Sequence, residues 1–311
     1  MRAYVTRRAV YTVIVLAVAS MVIFLALRVS PGTPEDALFN PLASKQVKDA
    51  LIHQYHLDKS LPLQYWYFIR GLFTLNFGQS IKTGQPITQI VATYGVNSLK
   101  LILAATIFTF GISIPLGVWI AARRDSWLDH IALGIANFGM GVPNFVLALI
   151  MTRLFAVDLG WLPLSGDSGF TSLIMPTIAL SAEGMSVALR LVRSSVLDQL
   201  SQDYIRTLRA AGIRERTVLW RHALKNALIP IITLSALQIG QLVGYTAIVE
   251  IVFRWPGLGQ QLVSSVLGRD YPVALYLSLI LTACVVLANF LANIGYAFAD
   301  PRVRGGVRSG G

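Results

Sequence analysis

The sequence predicts an all-α membrane protein with six transmembrane helices, and three observations lead to this class. Of the 311 residues, 55% are hydrophobic and only 13% are charged, which is about half the charged fraction of a soluble domain. The mean hydropathy is +0.62. Six apolar stretches each approach or exceed the roughly 20 residues that a helix needs to cross a bilayer. These observations exclude a soluble enzyme, and the single cysteine, Cys284, excludes a disulfide-stabilised scaffold.

The first predicted span resembles a signal peptide at its start, because Arg2, Arg7 and Arg8 precede it. Its apolar run from Ala9 to Leu27 is longer than the roughly 7–15 residues of a signal-peptide core, and no small-residue cleavage site follows. We therefore expect a retained membrane anchor. The six predicted spans are about 9–29, 98–121, 131–157, 173–192, 228–252 and 273–298.

The third and fourth spans each carry an unusual residue for a membrane helix. Pro143 follows Gly139 and Gly141 in the third span and predicts a kink there. Glu183 is the acidic residue deepest inside a span. A charge in the hydrocarbon region is costly, so Glu183 should face protein or water. Either a role in the substrate path or gate, or a structural hydrogen bond, fits this position.

The fifth span combines small and polar residues, namely Gln238, Gly240, Gln241 and Gly244. Small residues allow close helix packing in a membrane, and polar residues bond neighbouring helices or line a pore. Packing is the favoured role, and a polar pore lining stays open for Gln238 and Gln241. Glu250, at the end of this span, is assigned to the same translocation path or gate.

The distribution of positive charge predicts the orientation. If the N-terminus is cytoplasmic, the inner segments carry more than twice as many Lys and Arg residues as the outer ones, as the positive-inside rule requires. The net charge of +11 is thus spread between spans rather than gathered on a nucleic-acid-binding face. Both termini are expected in the cytoplasm.

Four regions follow from these assignments. We expect an N-terminal transmembrane helix at 1–30 and an extracytoplasmic segment at 31–96, with helical stretches at Ser44–Tyr55 and Gln64–Phe73. A membrane core follows at 97–300, interrupted by a basic cytoplasmic loop at about 198–228. Residues 301–311 form a flexible, Gly-rich tail.

The basic loop predicts two short helices joined at a glycine. Tyr204, Leu208 and Ala211 share one helical face, Gly212 permits a sharp turn, and a second helix is expected from about Glu215 to Leu228. From the residues alone, this is either a topology-setting loop near anionic lipid or a helix that docks in a partner's groove.

A set of short motifs in a fixed order favours the docking helix over the lipid-facing loop. They include Ala210-Ala211-Gly212 in the loop and Ala227-Leu228-Ile229-Pro230 after it, and the others run through nearly the whole chain. The others are Leu75-Asn76-Phe77-Gly78-Gln79-Ser80, Gly84-Gln85-Pro86-Ile87, Pro143-Asn144-Phe145, Pro176, Tyr204-Ile205-Arg206-Thr207, Val249-Glu250-x2-Phe253-x-Trp255-Pro256-Gly257-Leu258-Gly259, Arg269-Asp270-Tyr271-Pro272 and Asp300-Pro301-Arg302.

Taken together, the chain resembles the permease subunits of ATP-binding-cassette importers. The branch it resembles is the dipeptide, oligopeptide and nickel family, in its first (B-type) subunit. Two residues depart from the general loop pattern, because Arg209 stands where Glu is usual and Ala211 where this branch often has Lys. Which partner groups the loop pairs with is therefore left open.

The resemblance implies a type I importer permease fold (MetI-like) and a transport function without covalent chemistry. It implies that a coupling helix in the loop seats on an ATPase subunit. The resemblance assigns this coupling role to Tyr204, Arg206, Leu208, Arg209, Ala210, Ala211, Gly212 and Arg214.

Partners and cargo also follow from the resemblance. The partners are a second permease subunit, two ATPases and an extracytoplasmic binding protein, which would meet Trp255, Pro256 and Gly257. Di- or oligopeptides are the expected cargo, with nickel or glutathione as alternatives, and the site is the bacterial inner membrane. We expect no cofactor or metal on this chain, with ATP and Mg bound by the ATPases, since no Gly-x4-Gly-Lys-Ser/Thr motif occurs here.

Two other classes of function fit less well. An intramembrane enzyme needs a paired nucleophile or acid and base within the spans, and Glu183 stands alone there. An ion-coupled carrier predicts inverted repeats and several intramembrane acids. His53 and His56, spaced i, i+3, could begin a metal site on an outer helix, but solvated polar residues are the favoured interpretation.

Overall fold

The computed structural model describes residues 2–29, 52–53, 56, 58–167 and 169–299. Across these residues the chain is a bundle of long helices with short helices at both ends. By length and composition, four helices are long and apolar enough to cross a membrane, and up to six if two bent pairs each count as one span. The all-α, six-span prediction is confirmed in this form.

The helices follow the predicted spans with longer ends. They are α1 Arg2–Val29, α2 Leu61–Thr74, α3 Ile87–Ala122, α4 Trp127–Gly141, α5 Asn144–Met151, α6 Phe170–Leu200, α7 Asp203–Ala210, α8 Glu215–Thr217, α9 Leu224–Val252, α10 Leu258–Leu267 and α11 Tyr271–Ala299. A π-helical stretch, Thr152–Asp158, continues α5, and another, Val218–Ala223, joins α8 to α9.

Helix α3 and helix α6 form the centre of the bundle and run parallel. The Ser181 hydroxyl donates to the Ala105 carbonyl at 3.1 Å, and the Ser113 hydroxyl donates to the Met185 carbonyl, also at 3.1 Å. Further along both helices, a Cβ at Gly117 would lie 2.6 Å from the Val192 side chain. Small residues thus permit the close approach that membrane helices need.

The helix order places the loops at two ends of the bundle. The end that holds α7, α8 and the turn 123–126 carries many arginines, and we call it the basic end. The opposite end holds α2, α10 and the loops 75–86, 159–167 and 253–257. Apolar clusters lie toward both ends. One at the basic end includes Val196, Ile205 and Val218. Two lie toward the opposite end: one includes Trp255 and Phe253, and the other joins Phe68 to Leu258.

The third span is broken rather than kinked. Helix α4 ends at Gly141, and α5 with its π-helical continuation leaves at 103° after Val142 and Pro143. Proline cannot donate the backbone hydrogen bond, and its ring clashes with the preceding turn. The predicted disruption at Pro143 is confirmed, but its size exceeds the expected kink.

Several boundaries differ from the sequence predictions. Helix α3 begins at Ile87, inside the segment expected to lie wholly outside the membrane core. The stretch Gln64–Phe73 is helical within α2 as predicted, whereas most of Ser44–Tyr55 and the tail 301–311 lie outside the described residues. The helix expected from Glu215 to Leu228 runs on into α9 instead of ending.

Candidate functional site

The segment at the basic end is a short helix held by a glycine turn. Helix α7 spans Asp203–Ala210, and Gly212 follows with a φ of +75°. The Ile213 amide donates to the Leu208 carbonyl at 3.1 Å, and the Gly212 amide donates to the Arg209 carbonyl at 3.0 Å. Glycine adopts positive φ without steric cost, so the predicted turn at this residue is confirmed.

The inner side of α7 rests on the bundle through one fully buried residue. Ile205 is 0% exposed, and Tyr204 and Leu208 pack beside it against the apolar cluster of the basic end. The Tyr204 hydroxyl donates to Gln199 Oε1 at 3.0 Å and accepts from Asn226 Nδ2 at 3.1 Å. These contacts fix the helix to the ends of α6 and α9.

The outer side of α7 is exposed. Ala211 does not share the face of Tyr204 and Leu208 as predicted, because the helix ends at Ala210, and Ala211 is exposed. The exposed residues of this surface, which we call the docking face, are Arg206, Arg209, Ala210, Ala211, Gly212 and Arg214.

Arg209 has a partner within the segment. Its guanidinium donates to both carboxylate oxygens of Glu215, at 3.0 and 2.6 Å, and this hydrogen bonding raises the pKa of Arg209 above its ordinary value. Arg206 pairs with Asp203 at 3.2 Å in the same helix. The Arg209–Glu215 pair spans the glycine turn and closes it, which gives a structural role to the arginine that departs from the usual pattern.

A second candidate region lies on α6, on the face between its contacts with α4 and its contacts with α9. Helix α3 packs against α6 at Met185 and Val192, and α9 reaches Gly184 through Gln238, whose Nε2 donates to the Gly184 carbonyl at 3.0 Å. Helix α4 packs at Ser186. The remaining face carries three polar residues, with one valine between the first and the second. We call this face the polar stripe, and its residues are Glu183, Val187, Arg190 and Ser194.

The four residues assigned to the translocation path are not brought together. Glu183 is half-buried on the polar stripe, and Gln241 is exposed on α9. Gln238 is 7% exposed because it bonds α6, so it acts in packing, the favoured sequence interpretation. Glu250 is 0% exposed and lies at the opposite end of the bundle, away from the polar stripe.

Glu250 instead caps a helix at the opposite end of the bundle. Its carboxylate accepts from the Gly259 amide at 2.7 Å, from the Gln260 amide at 3.3 Å and from the Ser98 hydroxyl at 2.5 Å. The two amides belong to the first turn of α10, where backbone donors lack helical partners and a negative charge is favourable. The Ser98 hydroxyl in turn accepts from the Leu258 amide at 2.8 Å.

The turn before α10 is packed inward rather than presented to solvent. Trp255 is 2% exposed, and its indole Nε1 donates to the Asn97 carbonyl at 3.0 Å. Pro256 accepts a hydrogen bond from Asn97 at its carbonyl, and Gly257 is buried against the Glu250 carboxylate. The three residues predicted to meet a binding protein are therefore largely interior, because they hold α10 to α3.

Sequence reasoning missed two buried carboxylates that tie helices together. Asp129 of α4 accepts from Arg193 of α6 in a bidentate pair, with both distances 2.6 Å. Asp270 accepts from the Ser80 hydroxyl at 2.5 Å and from the Ile81 amide at 3.2 Å. Both acids lie at the ends of predicted spans, where charged loop residues are common. Their role is visible only in the structure, which shows the residues that they bond.

The two histidines of the outer segment do not lie on one helix. His53 is helical, but His56 lies in a turn with a φ of 55°, so the two do not share a helical face as expected. His53 Nδ1 lies 3.2 Å from Asp58. Among the described residues no group of three or more His, Cys, Asp or Glu side chains could hold a metal ion.

Comparisons with known proteins agree with the architecture. Residues 113–305 match the family described as binding-protein-dependent transport system inner membrane component, and residues 1–111 match the N-terminal part of such membrane components. The structure of an inward-facing MetNI methionine ABC transporter is similar in fold, with a TM-score of 0.56 and 20% identity, covering 68% of this chain and 97% of that one.

Relatives match over nearly the full length. The glutathione transport system permease protein GsiC of Escherichia coli strain K12 is 35% identical over 301 residues, covering 97% of this chain and 98% of the relative. The oligopeptide transport system permease protein AppB of Bacillus subtilis strain 168 is 35% identical over 314 residues, covering 97% and 99%.

Proposed function

This chain belongs to the family of inner membrane components of binding-protein-dependent transport systems, and on that premise we propose how its parts share the work of transport. It is a permease subunit of an ATP-binding-cassette importer in a bacterial inner membrane, and not an enzyme. Such a permease works with a partner permease, an ATPase and a binding protein. The proposal concerns the roles of the docking face, the polar stripe and the opposite end.

The docking face is proposed to seat on an ATPase subunit. The observation that carries this role is the arrangement of α7, whose inner side is anchored by the fully buried Ile205 while its outer side exposes small and basic residues. Ala210, Ala211 and Gly212 let a partner approach the backbone closely, and Arg206 and Arg214 can pair with acidic groups. The rigid attachment to α6 and α9 would pass a displacement of α7 into the bundle.

The polar stripe is proposed to face the translocation path between this chain and the second permease. Its charged residues are expensive in contact with lipid, so water or a partner must cover them. Binding of ATP by two ATPases, with its Mg, would draw the docking segments together and turn the path outward. The basic end is then cytoplasmic, as are both termini.

The cargo is proposed to be a di- or oligopeptide or a related peptide such as glutathione. The support is the naming of the full-length relatives, which are a glutathione permease and an oligopeptide permease. The binding protein would meet the opposite end near Trp255, Pro256 and Gly257 through their exposed neighbours, such as Arg254. The proposed regions keep the boundaries 1–30, 31–96, 97–300 and 301–311.

The test is a single substitution on the docking face with a matched control. We expect Ala211→Asp to remove the ATPase from the complex purified through a tag on this chain, because a charged, larger side chain would block the close approach. Ala122→Asp makes the same change at an exposed residue of the same end and should leave the complex intact. Retention of the ATPase by Ala211→Asp, with ATP-driven uptake unchanged, would overturn the docking role.

A further inference from the structure

The polar stripe of α6 carries two opposite charges that the described protein does not neutralise. No hydrogen bond or ion pair joins Glu183 to another described residue. Arg190 donates to Asn137 Oδ1 at 3.3 Å and contacts the sulfur of Met140, and both of these partners are neutral. Arg193 of the same helix differs from these two residues, since it is paired with Asp129.

The two charges lie on one line along the helix axis. Residues 183, 187, 190 and 194 follow the i, i+4, i+7, i+11 pattern of a single helical face. With a rise of 1.5 Å per residue, the Cα atoms of Glu183 and Arg190 are separated by about 10 Å along the axis. The half-buried Val187 lies between them, and the exposed Ser194 lies one turn beyond Arg190 toward the basic end.

We propose that Glu183 and Arg190 form a two-point site for a solute that carries an ammonium group at one end and a carboxylate at the other. Glu183 takes the ammonium group, and the Arg190 guanidinium takes the carboxylate, with Asn137 orienting it. The two groups lie on one face without pairing with each other, so each can hold one end of the same extended peptide. The inference deepens the proposed function and rests on it, since it takes the polar stripe to line the path.

The site also implies a direction. A solute that enters from the opposite end meets Glu183 first and Arg190 second, so its ammonium group trails and its carboxylate leads when both are bound. Between the two charges the stripe presents the aliphatic side chain of Val187, which can neither donate nor accept a hydrogen bond. The site therefore recognises the ends of a solute rather than its side chains. A path of this kind admits many sequences and leaves selection to the binding protein.

The first experiment measures the electrostatic potential along the stripe. Cys284→Ser removes the native thiol, and Val187→Cys and Ser194→Cys each add one to the purified, lipid-embedded complex. We compare labelling rates for an anionic and a cationic methanethiosulfonate. A unit charge about 6 Å away in water changes each rate about three-fold, so Arg190→Gln should shift the anionic-to-cationic rate ratio at position 194 about ten-fold toward the cationic reagent.

Matched variants separate charge from structure. Arg190→Lys keeps the positive charge and should keep the ratio. Glu183→Gln should move the ratio at position 187 about ten-fold the other way, toward the anionic reagent. Thiols that react with neither reagent would overturn the site, because the stripe would then be sealed by lipid or by the partner permease. Rate ratios that stay the same in Arg190→Gln and Glu183→Gln would also overturn it, because the two charges would then not set the potential along the stripe.

The second experiment uses trialanine as the probe for the solute. Without ATP or binding protein, trialanine with free termini should slow labelling at position 187 at lower concentration than its C-terminal amide or its N-acetyl form. Arg190→Gln should abolish the difference from the amide, and Glu183→Gln the difference from the N-acetyl form. Equal protection by the three peptides, or none, would overturn the site. These readouts need no ATPase turnover, so a failure here is distinct from a failure of the docking role.

Discussion

Buried carboxylates at single positions hold the opposite end of the bundle together. Glu250 accepts two amides of the first turn of α10 and the Ser98 hydroxyl, so one side chain links α9, α10 and α3. This arrangement requires that nothing larger than hydrogen project from Gly257 and Gly259. A Cβ at Gly257 would lie 2.1 Å from a Glu250 carboxylate oxygen, and one at Gly259 would lie 2.4 Å from Ala247 Cα.

We therefore expect Gly259→Ala to destabilise the complex. The obstructing atom at Ala247 belongs to the backbone and cannot rotate away, so α10 must shift and weaken its bonds to Glu250. Overpacking of this kind costs about 1–3 kcal/mol, which thermal unfolding of the purified complex would detect. Gly111→Ala is the matched control in α3, because a Cβ there meets nothing within 4 Å. Equal melting temperatures for the two variants would contradict the packing argument.

For single residues, the sequence predicted the turn at Gly212 but not the burial of Trp255 or the exposure of Ala211. A glycine after a short amphipathic helix is a local signal, since the positive φ it permits depends on its own backbone. Whether Trp255 is buried depends on Asn97, more than 150 residues away. Interactions between such distant residues leave no periodic pattern in the chain.

Among the described helices, the central feature is that α6 packs against α3, α4, α5 and α9 and still carries the polar stripe on the face between α4 and α9. Helices α3, α4 and α9 approach it at different sides, and small residues such as Gly117 and Gly139 make the closest contacts. The sequence predicted the positions of the spans well, because an apolar run of this length can cross a bilayer only as a helix that satisfies its own backbone hydrogen bonds. It predicted a disruption at Pro143 but not its angle of 103°, since that angle depends on the packing of α5 against α6 and α9.

Helix α4 is joined to α6 at the basic end by the pair Asp129–Arg193, and this connection is expected to matter for stability. The side chains are 2% and 19% exposed, so Asp129→Asn would leave a guanidinium without its charged partner. The expected loss is about 1–3 kcal/mol of unfolding free energy. Asp125→Asn removes an acid with a 73% exposed side chain in the adjacent turn and should change stability by less than about 0.5 kcal/mol.

The double variant Asp129→Asn with Arg193→Gln distinguishes a true pair from two independent residues. If the pair is coupled, adding Arg193→Gln to Asp129→Asn should cost much less than Arg193→Gln costs alone. Additive losses in thermal unfolding would contradict the coupling. The comparison also tests whether α4 follows α6 as one body at this end, although α5 departs at the break.

For the molecule as a whole, the two ends of the bundle differ in charge, and the arginines of the basic end are also the residues that predict its orientation in the membrane. The basic end combines the docking face with the turn 123–126, where the Arg123 guanidinium lies 4.3 Å from the Trp119 ring centroid. Arginine and tryptophan favour the interface between membrane and water. The opposite end holds α10 and the loop 75–86, in which the Ser80 hydroxyl donates to Asp270. An importer must keep these ends apart, because the basic end would bind the ATPase and the opposite end would meet the extracytoplasmic binding protein.

Impermeant thiol reagents test the orientation of the whole chain in intact cells. In a Cys284→Ser background, Ser264→Cys lies at an exposed position of α10, and Thr207→Cys lies at an exposed position of α7. If the basic end is cytoplasmic, as the positive-inside rule predicts, Ser264→Cys should be labelled from outside and Thr207→Cys only after permeabilisation. The Cys284→Ser parent sets the background, and labelling in the reverse order would place the docking face on the wrong side for an ATPase that uses cytoplasmic ATP.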